Sequence, residues 1–257
     1  MKIKDTSKHA EKIDIKEVAK ALGAEVMGEF KATSGALGAW QAGERYRKMI
    51  SQKLDPELYY TEFADACAKI ITDKDCKKYF KRYDTKELPR IIKIMGILKN
   101  LMPETMLDVG SGRGRALWPI AYNLPDTKII CVDKSTWRCE IIDAVHKGGV
   151  DRISAINSNM CPCDLPDSSV DVVTALEVIE HIKEPGFALS EMLRIAKKFI
   201  LISVPSKPDN NPDHLHFFSS TDFEKLVDGA EEKTGKVVRR LTFDYVPKHM
   251  IVLIRIS

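Results

Sequence analysis

Asp108-Val-Gly-Ser-Gly-Arg-Gly114 is the stretch on which the fold turns. It follows Met106-Leu-Asp-Val109, a short β-rich run, and precedes the helical stretch Leu117 to Leu124. Glycines at 110, 112 and 114 let backbone approach a ligand closely, and the start of the following helix offers unpaired N–H groups. Tight strand-to-helix turns also use glycine for purely steric reasons, so the loop alone names no ligand. A dinucleotide fingerprint would place Gly or Ala at position 115, where this chain has Arg115. That argues against a pyrophosphate cofactor. Asp108, just before the loop, suits a cation better than a phosphate.

Outward from this loop, β-rich and helical segments alternate. Lys128 to Asp133, Ile153 to Asn157, Val170 to Ala175 and Phe199 to Val204 read as strands. Helical segments fall around Trp137 to Val145 and Phe187 to Ile195, and Thr221 with Glu224 reads as a capping box opening another. Val237 to Phe243 and Met250 to Ile256, joined at Val246-Pro-Lys248, read as an antiparallel hairpin at one edge. Apolar strands alternating with helices predict an α/β fold with a mainly parallel, doubly wound sheet. Residues 1–102 differ in texture and predict a helical extension before a domain at 103–257. Ile15, Val18, Ala19 and Leu22 share one helical face, as do Leu88, Ile91, Ile92, Met95 and Leu98 after a capping box at Asp84 and Glu87.

Composition bounds the function classes. Hydrophobic residues are 44% and charged residues 30% of 257, which excludes disorder. A net charge of +3 does not mark an obligate polyanion binder. The longest apolar run, Met250 to Ile254, cannot span a bilayer, and Met1 to Lys8 lacks a secretory signal, so a cytoplasmic location with no membrane partner is expected. Six cysteines without a repeated spacing suggest no disulfide framework, and Cys161-Pro-Cys163 is a poor zinc signature.

Asp133, at the end of the second strand, can accept hydrogen bonds from both hydroxyls of a ribose. Together with the glycine loop, Asn159-Met160 after the third strand, the stretch Asp167 to His181 and the final hairpin, it resembles the class I S-adenosylmethionine-dependent methyltransferases over roughly residues 105–257. The resemblance implies a seven-stranded sheet carrying S-adenosylmethionine across the carboxyl ends of its strands. It implies cofactor contacts from Asp108, Gly110, Ser111, Gly112, Gly114, Asp133, Lys134, Asn159, Met160 and Glu177. Asn159 stands where the family usually has Asp.

Glu177-Val-Ile-Glu-His181 would put Glu177, Glu180 and His181 on one face if the chain turns helically there. His214 and His216 follow in Asp213-His-Leu-His-Phe217. The pattern is similar to small-RNA 3′-terminal ribose 2′-O-methyltransferases, which bind a metal through such residues. Glu-x-x-Glu-His also occurs in class I enzymes without metal, and no metal ligand is expected here. His181, His214 and His216 are the expected catalytic residues, as general bases for an acceptor that must lose a proton. The expected function is methyl transfer to a small or medium-sized molecule. A metal-assisted RNA 2′-O-ribose methyltransferase and a non-catalytic cofactor-binding module are the alternatives. The N-terminal helices are expected to close over the cofactor as a lid, with Trp40, Tyr46, Tyr59, Tyr60 and Phe63 as candidate acceptor-pocket aromatics, although ordinary helix packing is the better reading of any one of them. Lys77 to Arg82, which interleaves basic and aromatic residues, reads better as a solvated helix face than as a nucleic-acid surface.

Overall fold

The computed structural model describes residues 60–71, 79–80 and 89–257. The helix expected at Ile15 to Leu22, the box at Asp84 and Glu87, Trp40, Tyr46, Tyr59 and most of the segment 77–82 lie outside the described residues. Tyr60–Ser257 forms one compact unit.

Its seven strands are β1 (Thr105–Val109), β2 (Lys128–Asp133), β3 (Ile153–Asn157), β4 (Val170–Leu176), β5 (Ala196–Pro205), β6 (Val238–Val246) and β7 (His249–Ile256). They form one sheet in the order β3-β2-β1-β4-β5-β7-β6. Strands β1 to β5 run parallel, and β7 is antiparallel to both β5 and β6. All seven residues of β4 are buried, as expected of a strand covered by helices on both faces. At the β6 edge, Val238–Val246 is only partly buried and its Arg239 and Arg240 are exposed, which discourages pairing with another chain.

Strand order places the candidate site. The chain steps from β1 out to β2 and β3, then restarts at β4 on the other side of β1. A crevice opens at the carboxyl ends where the order reverses, between β1 and β4. Beneath it, Val173, Ile200 and Ile202 of the sheet share a core with Leu189, Met192 and Leu193 of helix Pro185–Ile195 and with Phe223 and Val227 of helix Ser220–Thr234.

Two local expectations shift. The last helix is capped two residues earlier than the sequence suggests. Ser219 is extended (φ −88, ψ 171), its side chain accepts from the Asp222 backbone N–H, and the Asp222 side chain accepts from the Ser219 backbone N–H. Thr221 is already helical and cannot act as the cap. After β4 the chain does not turn helically from Glu177. Glu177 takes a left-handed φ of 61°, and only Ile179–His181 forms a single 3-10 turn. Glu177 is therefore swung off the face that carries Glu180 and His181.

Tyr60 and Phe63 take the ordinary packing role favoured for each of them on sequence. They are 5% and 0% exposed, and the Phe63 ring tilts against Trp118 at 5.2 Å.

Candidate functional site

The glycine loop caps the carboxyl end of β1. Gly110, Gly112 and Gly114 have φ of 65°, 57° and 75°, a region that side chains resist. The three differ in what surrounds them. A Cβ at Gly110 would meet Val178 at 2.7 Å, and one at Gly114 would meet the Trp118 indole at 2.0 Å. A Cβ at Gly112 would meet nothing nearer than the Gly110 carbonyl at 3.7 Å. The loop is thus packed from below at Gly110 and Gly114 and open at Gly112, which is the shape of a cradle.

Two carboxylates support it. Asp108 is 2% exposed and accepts the Thr174 hydroxyl at 2.7 Å. Burial pushes its carboxyl up to about 6, against the relief of that hydrogen bond. Asp133 is 3% exposed. It accepts the Gly112 N–H at 3.0 Å, the Ser135 N–H at 2.9 Å and Arg138 at 3.4 Å. Two carboxylate oxygens offer about four acceptor positions, so Asp133 ties the loop to β2 and retains capacity for a further donor. Ser111 is buried beside Asp108, donating to its carbonyl at 3.4 Å, and Lys134 is exposed.

Beyond β3, Ser158, Asn159, Cys161, Pro162, Cys163 and Asp164 line an open recess of about 420 Å³. Asn159 is exposed and Met160 buried. This connection is pinned from helix Pro185–Ile195. Arg194 donates to the Leu165 carbonyl at 2.6 Å and the Cys163 carbonyl at 2.8 Å, while Glu191 accepts the Cys163 N–H at 3.0 Å.

On the other side of β1, the ends of β4 and β5 carry the histidines. Leu215 and His216 N–H both bond the Glu180 carbonyl, at 2.8 and 3.2 Å, which ties the loop after β5 to the turn after β4. The structure brings Glu180, His181 and His214 together, with ligand atoms within 4.8 Å of one another. His181 Nδ1 lies 2.7 Å from the Asp213 carbonyl, so Nδ1 carries the proton and Nε2 presents a lone pair. His214 Nδ1 lies 2.9 Å from Asp209, and its Nε2 is 2.9 Å from the Asn211 side-chain nitrogen. Glu180 is 0% exposed and neither carboxylate oxygen has a partner; burial pushes it up to about 7. His216 packs on Phe218, and its buried Nε2 is also unpartnered.

Glu177 joins a different group. Its Oε1 pairs with Arg90 at 2.7 Å and accepts the Ser203 hydroxyl at 3.0 Å, while its Oε2 faces His249 Nε2 at 3.4 Å. Sequence reasoning missed Arg90, Ser203 and His249. The signal for His249 lay in the hairpin: the first residue of a strand antiparallel to a parallel set must sit at the carboxyl edge, and His249 pairs with Pro205 there.

Comparison with known proteins agrees with this arrangement. The Methyltransferase domain family matches residues 107–199. No curated protein resembles the sequence closely enough to count as a match. Among solved structures, the methyltransferase domain of bacterial CtHen1-C is 21% identical, covering 65% of this chain and 97% of its own, with a TM-score of 0.52. An S-adenosylmethionine-dependent methyltransferase from Aquifex aeolicus is 22% identical, covering 66% and 98%, with a TM-score of 0.48. The [4+2]-cyclase SpnF is 15% identical, covering 63% and 79%, with a TM-score of 0.51. At such identities the two structures with TM-scores above 0.5 speak for the fold alone; the family match carries the chemistry. With its sheet order and antiparallel final strand, this chain carries a class I S-adenosylmethionine-dependent methyltransferase domain.

Proposed function

We propose that S-adenosylmethionine is held over β1 and β2 by Asp108, Gly110, Ser111, Gly112, Gly114, Asp133, Lys134, Asn159 and Met160, and that a small or medium-sized acceptor binds over β4 and β5 beside His181, His214 and His216. Gly112, open above the loop, and Asp133, with acceptor capacity left, fit the cofactor. Bound there, S-adenosylmethionine supplies an activated methyl group. The protein's task is to align an acceptor atom with it, which converts a two-body reaction to an effectively unimolecular one. Glu177, expected among the cofactor contacts, is assigned in this proposal to the acceptor side, a reading supported by its pair with Arg90 and its approach to His249. Residues 1–102 are proposed to act as the lid.

Charge carries the choice of acceptor. The segment from Ser206 to Asp213 holds Lys207 against Asp209 and Asp213, with Leu215 and Phe217 exposed just beyond. A polyanion would need several cations in a row here; a compact, partly apolar molecule would not. Methyl transfer assayed over a panel of metabolites and RNA is expected to find turnover among the small molecules. Turnover of RNA alone would reject this choice.

One observation favours a second reading, the metal-assisted RNA 2′-O-ribose methyltransferase. A carboxylate with both oxygens unpartnered, beside two histidines, is the donor set of a divalent cation, and Glu180, His181 and His214 would hold it. An orienting acceptor on Nδ1 of each histidine is what metal-binding imidazoles commonly have. The first reading expects methyl transfer to survive exhaustive chelation. Activity lost to chelator and restored by Mg²⁺ or Mn²⁺ would replace it with the second.

A further inference from the structure

The geometry points to His249, backed by Glu177 and Arg90, as the group that takes up the proton a methyl acceptor loses; this rests on the proposed placement of the acceptor over β4 and β5. His249 Nδ1 lies 3.1 Å from the Pro247 carbonyl. A carbonyl can only accept, so Nδ1 carries the ring proton and Nε2 is left with a lone pair. That lone pair faces Glu177 Oε2 across 3.4 Å. Two acceptors facing each other form a place for one proton.

The surroundings set this place ready to receive rather than already filled. The Arg90 guanidinium, on helix Pro89–Leu101, pairs with the Glu177 carboxylate at 2.7 Å. Burial first, and then Arg90 and Lys248, hold His249 below its ordinary range, so that it is neutral near neutral pH. Other charged groups flank the cluster. Glu180 faces Arg90 from the turn after β4, Arg115 repels Arg90 from the glycine loop, and Lys93 pairs with Asp244 between the helix and β6.

Position ties the pair to the reaction. Glu177 and His249 side chains are 23% and 25% exposed, so solute reaches both. Val178, the next residue after Glu177, is the one packed against Gly110 of the glycine loop. The left-handed backbone of Glu177 turns its carboxylate toward Arg90, Ser203 and His249. Such strain in a residue other than glycine is held only where surrounding contacts determine it. In the reaction, the acceptor X–H bond breaks as X–CH₃ forms. The methyl group leaves sulfur with its bonding electrons passing to sulfur, and the proton passes to His249 Nε2, where the Glu177 carboxylate stabilises the imidazolium.

Nitrogen-15 NMR of the histidine rings tests this without an acceptor in hand. At pH 8, His249 is expected to be the Nδ1–H tautomer. Glu177→Gln should lower its titration midpoint by about one pH unit, the effect of removing a neighbouring opposite charge. With S-adenosylmethionine bound, the midpoint should lie below that with S-adenosylhomocysteine, because only the former brings a sulfonium charge to the neighbourhood. An Nε2–H tautomer, a midpoint indifferent to Glu177→Gln, or equal midpoints with the two ligands would each overturn the assignment. Failure of both ligands to bind would instead count against the proposed cofactor site, and the tautomer and the Glu177→Gln shift would still decide the question of His249.

Discussion

Asp108→Asn is expected to make the protein more stable and a weaker binder of S-adenosylmethionine. Burial raises the Asp108 carboxyl from 3.8 to about 6. The folded state therefore holds its proton over a range in which the unfolded chain has released it. Below about pH 4 the group costs nothing. As pH rises through about 6 the buried site must ionise, and the folded state loses stability. A shift of about two units corresponds to roughly 3 kcal/mol. Asparagine keeps an oxygen for the Thr174 hydroxyl but buries two new donors, so a net gain of about 1–2 kcal/mol above pH 7 is expected. Urea unfolding at pH 4 and pH 8 measures it: the variant should be less stable than wild type by about 1–2 kcal/mol at pH 4, where only its buried donors count, and more stable at pH 8. Calorimetric titration should show weaker cofactor binding, since a buried negative charge beneath the cradle is gone. A variant less stable than wild type at pH 8 would contradict the account of Asp108.

Gly114→Ala has the largest expected cost. A methyl group there would lie 2.0 Å from the Trp118 indole nitrogen, at a φ of 75°. Trp118 is 2% exposed and wedged between Phe63 and Phe80, with ring centroids at 5.2 and 5.0 Å, so it cannot step aside. Forced left-handed backbone costs about 1–2 kcal/mol and overpacking about 1–3 kcal/mol more. Loss of roughly 2–5 kcal/mol on unfolding is expected. Gly112→Ala is the control, because only the backbone term applies there: about 1–2 kcal/mol. Equal losses for the two variants would mean that the indole does not support the loop.

The fold was legible because its signals are local and repeated. Strand-length apolar runs at 106–109, 128–133, 153–157 and 170–175 each became a strand. The hairpin turn fell at Pro247-Lys248, where a proline interrupts two β-rich runs. The candidate site was legible where it follows the strand ends: Asp108, Asp133 and the glycines sit where a strand–loop–helix repeat must put them. It was illegible where a side chain's direction depends on tertiary contacts. Nothing in Glu177-Val-Ile-Glu-His181 announces a left-handed residue at its head; that turn depends on Arg90, Ser203 and His249, which lie 26 or more residues away in sequence. The metal pattern read from sequence had included Glu177, and the structure leaves Glu180, His181 and His214 without it. Arg90 has its own lesson. On helix periodicity it belongs beside the apolar stripe of Ile91, Ile94 and Leu98, yet it is buried because a carboxylate awaits it.

Calorimetric titration of S-adenosylmethionine into wild type and Asp133→Ala tests the central claim most directly, that the cofactor lies across the carboxyl ends of β1 and β2. Asp133 binds the Gly112 and Ser135 N–H groups and is proposed to receive the ribose hydroxyls, so its loss should both loosen the loop and remove charge-assisted hydrogen bonds. The account predicts binding to wild type and an affinity lower by about 1.5–3 kcal/mol in the variant, roughly ten- to 150-fold. Equal affinity in the two proteins, with the variant folded, would contradict it.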